Sequence, residues 1–149
     1  MAEGQRGTAD GTDAGIGSSM ELHEKLKKYM HESFECVSDH PWASTPEFEV
    51  FRHSLSRKWF ALVMKLPRRT LGLEGGGELH VVNLKCEPRL IGSLVGKGGF
   101  FPAYHMNKEQ WITAALDGTA DWSELEMLVG LSYELTAPKL KKARKNKTE

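Results

Sequence analysis

Residues 58–65 read Lys-Trp-Phe-Ala-Leu-Val-Met-Lys, an unbroken apolar run held between two lysines. The run has the length of a strand but offers no polar face. A strand with one side in water alternates apolar and polar residues, so a simple surface strand is excluded here. Residues 78–86 (Glu-Leu-His-Val-Val-Asn-Leu-Lys-Cys) predict a second long strand, residues 48–51 start a shorter one, and residues 110–116 form the last. Residues 54–57 supply a turn. Residues 67–77 read as a loop closed by Gly75, Gly76 and Gly77, and Asp117-Gly118 turns the chain after the last strand.

Helical spacing governs the two ends. Leu22, Leu26, Met30 and Phe34, with Tyr29 alongside, predict an amphipathic helix to about residue 35. Ser18 and Glu21 fit a capping box at its start, and Asp39-His40-Pro41 ends it, because proline disfavours a helical residue before it. Pro88 suits the first turn of a short helix with Leu90, Ile91, Leu94 and Val95 on its apolar face, stopped by Gly96-Lys97-Gly98-Gly99. Asp121 and Glu124 form a second capping box, and Leu125, Leu128, Val129, Ser132 and Leu135 trace a closing helix to Pro138. Strands follow one another between helices rather than alternating with them, which predicts an α+β fold with an antiparallel sheet.

A chain of 149 residues fits one domain with a real core. Residues 1–19, rich in Gly, Thr, Asp and Ser, are expected to be a disordered leader. The domain is expected over residues 20–138, followed by a basic tail over 139–149. That tail carries Lys139, Lys141, Lys142, Arg144, Lys145 and Lys147, a run that either binds polyanions or merely keeps the terminus solvated. Formal net charge is zero, from 20 basic and 20 acidic side chains, so any attraction to nucleic acid must come from local patches. Cys36 and Cys86 form neither a CxxC pair nor a zinc-ligand spacing, and reduced thiols in a cytoplasm are expected. No apolar run approaches the roughly 20 residues of a membrane helix. A cytoplasmic monomer that does not engage a membrane is the expectation.

Four stretches carry a resemblance to a known family. They are His40-Pro41-Trp42, Lys58-Trp59-Phe60-Ala61, Asn83-Leu84-Lys85-Cys86-Glu87-Pro88, and Pro102-Ala103-Tyr104-His105-Met106-Asn107-Lys108 followed by Trp111 and Leu116-Asp117-Gly118. In this order and spacing they resemble the MmcQ/YjbR family. The resemblance implies a fold like that of CyaY and frataxin, a curved antiparallel sheet with helices packed on one face. It also implies DNA binding. Members often place another basic residue after the Asn-Lys pair, whereas this chain has Glu109 and Gln110, which weakens the positive patch. The leader and the loop at Gly75 to Gly77 also depart from the family pattern.

In a sheet covered on one face, side chains alternate between core and open surface. Val82, Leu84 and Cys86 then share the core face with Ile112, Ala114 and Leu116. The open face would display Asn83, Lys85, Trp111 and Thr113, with Trp59 from the neighbouring strand. An aromatic beside a lysine suits stacking on bases or the centre of a protein interface; the alternative is that Trp59 and Trp111 pack at the sheet's edge under a loop. Tyr104, His105, Asn107 and Lys108 can donate to phosphate oxygens, which suits nucleic acid or a small anion. Equally, Tyr104 and His105 can bond to backbone and lock their loop.

No metal site is read from the six histidines, because no pair shows the i, i+4 spacing of a zinc motif. Frataxin-like proteins bind iron through acidic residues on the first helix, but here Lys25, Lys27 and Lys28 are mixed among its glutamates. Gly96 to Gly99 resembles the GxxG loop of KH domains, yet Phe100-Phe101-Pro102 begins no helix after it, so a helix stop is the better account. No GxSxG or Cys–His motif is present, and Cys86 falls on the core face, where a thiol is usually inert. The chain is therefore expected to be a binding protein, with no catalytic residues and no cofactor. DNA is the first partner, bound through the open sheet face and residues 102–108. The alternatives are a protein partner on the same face through Trp59 and Trp111, or a small-molecule enzyme.

Overall fold

A computed structural model describes residues 20–138. In chain order the elements are α1 (Leu22–Ser33), β1 (Cys36–Asp39), β2 (Glu49–His53), β3 (Trp59–Pro67), a 3-10 turn (Arg68–Leu71), β4 (Glu78–Lys85), α2 (Pro88–Leu94), β5 (Phe100–Pro102), β6 (Trp111–Ala115) and α3 (Trp122–Leu135). The strands form one six-stranded open sheet in the order β1-β2-β3-β4-β6-β5, antiparallel throughout. The α+β expectation holds, with all three helices packed against the sheet.

The apolar run of β3 is explained by its place in the middle of that sheet. Ala61 and Val63 face the helices and join Leu26 and Met30 of α1, Ile91 and Leu94 of α2, and Leu125, Leu128 and Val129 of α3 in the main core. Leu62, Met64 and Leu66 face the other way and join Val50, Leu79, Val81 and Ala115 in a second core. Burial on both sides removes any need for a polar face.

A bulge adjusts this pattern. The β2–β3 register shifts between Phe51 and Arg52, which pair with Ala61 and Trp59, so Phe60 has no partner. A bulge of this kind puts two successive residues on one side. Phe60 joins Ala61 in the helix-side core, and Trp59 falls on the opposite face. The Ser132 hydroxyl of α3 donates to the Phe60 carbonyl at 2.6 Å and accepts from Lys85 N–H at 2.8 Å, so one buried side chain ties α3 to both central strands.

Several boundaries differ from expectation. Helix α1 starts at Leu22, with Glu21 at its N-cap and no side-chain cap bond; Ser18 lies outside the described residues, as do the proposed leader and tail. The chain turns extended at Phe34 and forms β1, an edge strand too short to show any alternation. Strand β5 is three residues long and was likewise invisible in the sequence. At α3 half of the capping box forms. Asp121 accepts from Glu124 N–H at 3.1 Å, while the Glu124 carboxylate turns to Lys97 Nζ at 2.7 Å.

Candidate functional site

The expected open sheet face is closed. Residues around Trp42 and Phe48, the segment around Leu71 and Leu73, Phe101 of β5, and Tyr104 and Met106 of the loop that follows it pack over the second core. The sheet is thus covered by helices on one side and by loops on the other. Asn83 and Thr113 are fully buried and cannot be displayed to a ligand. Trp59 packs edge-on against Trp42, 5.7 Å between ring centres, with the Arg52 guanidinium 5.7 Å from its ring. Of the two readings for that tryptophan, packing under a loop is the correct one.

Asn83 and Thr113 have a structural task instead. The Tyr104 N–H donates to Thr113 Oγ1 at 2.9 Å, the Thr113 hydroxyl donates to Asn83 Oδ1, and Asn83 Nδ2 donates to the Tyr104 carbonyl at 2.9 Å. This closed circuit gives the fully buried Asn83 and Thr113 side chains partners inside the protein. It clamps the loop at Tyr104 through its backbone. Neither the Tyr104 hydroxyl nor the His105 ring has a hydrogen-bond partner among the described residues.

Asn107 is also partly structural. Its side-chain oxygen accepts from Glu109 N–H at 2.7 Å, and its carbonyl accepts from Gln110 N–H and Trp111 N–H. This asparagine-led turn delivers the chain into β6. Lys85 is half-buried, with Nζ donating to Gln110 Oε1 at 3.2 Å and lying 5.6 Å from the Trp111 ring. Lys85 and Trp111 therefore form a small patch at the end of β4 and β6.

Three of the expected residues come together. Tyr104, His105 and Lys108, with Thr70, Leu71, Phe101, Pro102 and Ala103, line an open cleft of about 370 Å³. One wall is the 3-10 turn Arg68–Leu71 and the other is the loop after β5. His105 sits at φ 58°, a left-handed conformation uncommon outside glycine, with its ring centre 4.1 Å from that of Tyr104. His105 and Lys108 are exposed and Tyr104 is half-buried, so the cleft combines an aromatic surface with a lysine. In the turn, Arg68 Nε donates to the Glu74 carbonyl at 2.8 Å, while Arg69 is exposed. Sequence reading missed this wall. Arg68-Arg69-Thr70 is its available signal, within a stretch that reads as loop because it shows no period.

Elsewhere, a 330 Å³ hollow between α2 and α3 is lined by Leu90, Leu131 and Leu135 with Glu87 and Glu134, a lining that repels anions. Cys86 borders it, but burial pushes its thiol above the ordinary range. Cys36 Sγ lies 3.9 Å from His31 Nδ1, a pairing no local motif announced. Burial raises that thiol too, the opposite of what a nucleophile needs. No helix among the described residues is long and apolar enough to cross a membrane.

Comparison with known proteins agrees with this architecture. The YjbR family model matches residues 32–135. The chain is 35% identical over 117 residues to a Bacillus subtilis protein named uncharacterized protein YyaQ, covering 78% of this chain and 99% of that one. A crystal structure of a Pseudomonas syringae protein is similar at TM-score 0.74 and 41% identity, covering 76% of this chain and 97% of the other. A Deinococcus radiodurans protein with a DUF419 domain is similar at TM-score 0.60 and 27% identity, covering 78% of each. The chain belongs to the YjbR family.

Proposed function

We propose that the protein is a nucleic-acid-binding module rather than an enzyme, and that it takes single-stranded DNA at the cleft between the 3-10 turn and the loop after β5. The observation that carries this reading is the aromatic and basic cluster of Tyr104, His105 and Lys108, whose side-chain polar groups have no hydrogen-bond or ion-pair partner among the described residues, on a loop clamped by a buried hydrogen-bond circuit. A base stacks on Tyr104, and Lys108 and Arg69 meet the flanking phosphates. Stacking tolerates any base, and a preorganised loop loses little entropy on binding. The cleft is suited to one splayed nucleotide rather than to a duplex, whose stacked bases offer no free ring face.

Fluorescence anisotropy with labelled single-stranded and duplex DNA tests the reading, on the full chain and on a chain ending at Pro138. Binding that survives truncation, favours the single strand, weakens with salt and falls in Tyr104→Ala and Lys108→Gln supports it. Binding that disappears with the tail contradicts it.

A second reading has one observation of its own. Trp111 and Lys85 form a half-buried patch outside the cleft that fits the centre of a protein interface. Such a contact changes little with salt and is lost in Trp111→Ala.

A further inference from the structure

His23 and His80 are far apart in the sequence, yet α1 lies over β4 so that their rings stack with centres 3.5 Å apart and planes 9° from parallel. His23 is in the first turn of α1. His80 belongs to the helix-facing row of β4 with Val82 and Leu84. Glu21, one position before the helix, brings Oε1 to 3.4 Å from His23 Nδ1. One ligand atom from each of the three residues lies within 4.8 Å of the other two.

We propose that Glu21, His23 and His80 bind one divalent transition-metal ion of the zinc class. Two imidazoles and one carboxylate are a recurrent three-residue set for zinc, and they leave a fourth position for water. Here that position opens to solvent, because both histidines are half-buried while Glu21 is exposed. A single carboxylate is too little for calcium or magnesium, which seek several oxygens. Lys27 and Lys65 lie nearby, but each is offset by a glutamate, Lys27 by Glu49 at 2.9 Å and Lys65 by Glu78 at 3.8 Å. The choice of metal rests on the donor set, because imidazole nitrogen suits zinc and carboxylate oxygen alone suits calcium and magnesium. In parallel rings the nitrogen lone pairs run side by side, so binding opens the ring planes from their 9° stack and draws the ligand atoms to separations of roughly 3.3 Å. The site is on the helix side of the sheet and the cleft is on the loop side, so the two proposals stand or fall separately.

The test is a titration of the full chain with Co2+, followed by the visible absorption of four-coordinate cobalt, with Zn2+ then added in competition. One equivalent is expected to give the absorption and zinc to quench it. His23→Gln and His80→Gln are each expected to weaken binding by more than the roughly tenfold cost of losing an outer partner. Thermal melts establish that these variants fold. Glu21→Gln, at an exposed position outside the core, provides a variant whose folding is not in question, and it is expected to weaken cobalt as well. His40→Gln and Cys36→Ser are expected to bind like the parent. The absence of a four-coordinate signal overturns the proposal. So does a signal that survives in His23→Gln and His80→Gln, or one that depends on Cys36.

Discussion

Thr113 and Asn83 are direct partners across β6 and β4, and the Thr113 hydroxyl donates to the Asn83 side-chain oxygen while it accepts from the Tyr104 N–H. Asn83 completes the circuit by donating to the Tyr104 carbonyl. Two polar side chains pointing away from the helices would ordinarily signal a solvated surface. Here they anchor a loop, and the loop carries the exposed chemistry.

Thr113→Val keeps the shape of the side chain and removes both of its hydrogen bonds. An orphaned buried polar group costs about 1–3 kcal/mol, and the Tyr104 N–H and the Asn83 oxygen each lose a partner. The variant is expected to lower the urea midpoint and to speed hydrogen exchange at the Tyr104 amide more than elsewhere. Unchanged exchange at that amide would mean that the circuit does not hold the loop.

Two glycines predict opposite outcomes. Gly99 has φ 92°, and a Cβ there would sit 2.5 Å from Ala120 N, a backbone atom that cannot swing aside. Gly99→Ala combines a strained conformation with overpacking, each typically about 1–3 kcal/mol, and is expected to lower the melting temperature steeply. Gly92 lies within α2 and its Cβ would meet nothing within 4 Å. Gly92→Ala is expected to stabilise by about 0.5–1 kcal/mol through helix propensity.

His53 predicts a pH dependence. It is buried, and its Nε2 lies 2.9 Å from Thr136 Oγ1. That hydroxyl already donates to the Ser132 carbonyl at 2.8 Å, so the imidazole must be the donor to it. Burial holds the ring below the ordinary histidine range. The unfolded chain, titrating near 6.5, therefore binds more protons than the folded one between the two values. Stability is full above about 6.5 and is lost as pH falls from there through the folded value. Burial also lowers His80, in the same direction. The urea midpoint should fall between neutral and mildly acidic pH, and His53→Gln should flatten that slope; an unaltered slope contradicts the assignment.

The fold was legible because its signals are periodic. Leu22, Leu26 and Met30 mark one helix and Leu125, Leu128 and Val129 another, while the alternation of Val82 with Asn83 fixed the two faces of β4. The sequence also flagged β3 as apolar on both sides, which already conflicted with a sheet left open on one face. That conflict is the clue to the loop cover, and it favours the reading in which Trp59 packs under a loop. Strands β1 and β5 are too short to show a period, and the β3 bulge that redirects Trp59 has no local signature. The cleft was half visible. Tyr104, His105 and Lys108 stand in one dense stretch, but the wall opposite them depends on how a loop folds back. His23 and His80 could not be paired from sequence at all, because their meeting is a consequence of packing α1 on β4.

Amide and side-chain NMR shifts of the labelled full chain, recorded as a short single-stranded oligonucleotide is added, report where on the fold DNA sits. Binding at the cleft puts the largest changes on Thr70, Leu71, Tyr104, His105 and Lys108, while the helix-side residues Leu131 and Leu135 stay unmoved. Changes confined to residues 139–149, or centred on the α2–α3 hollow, would contradict it.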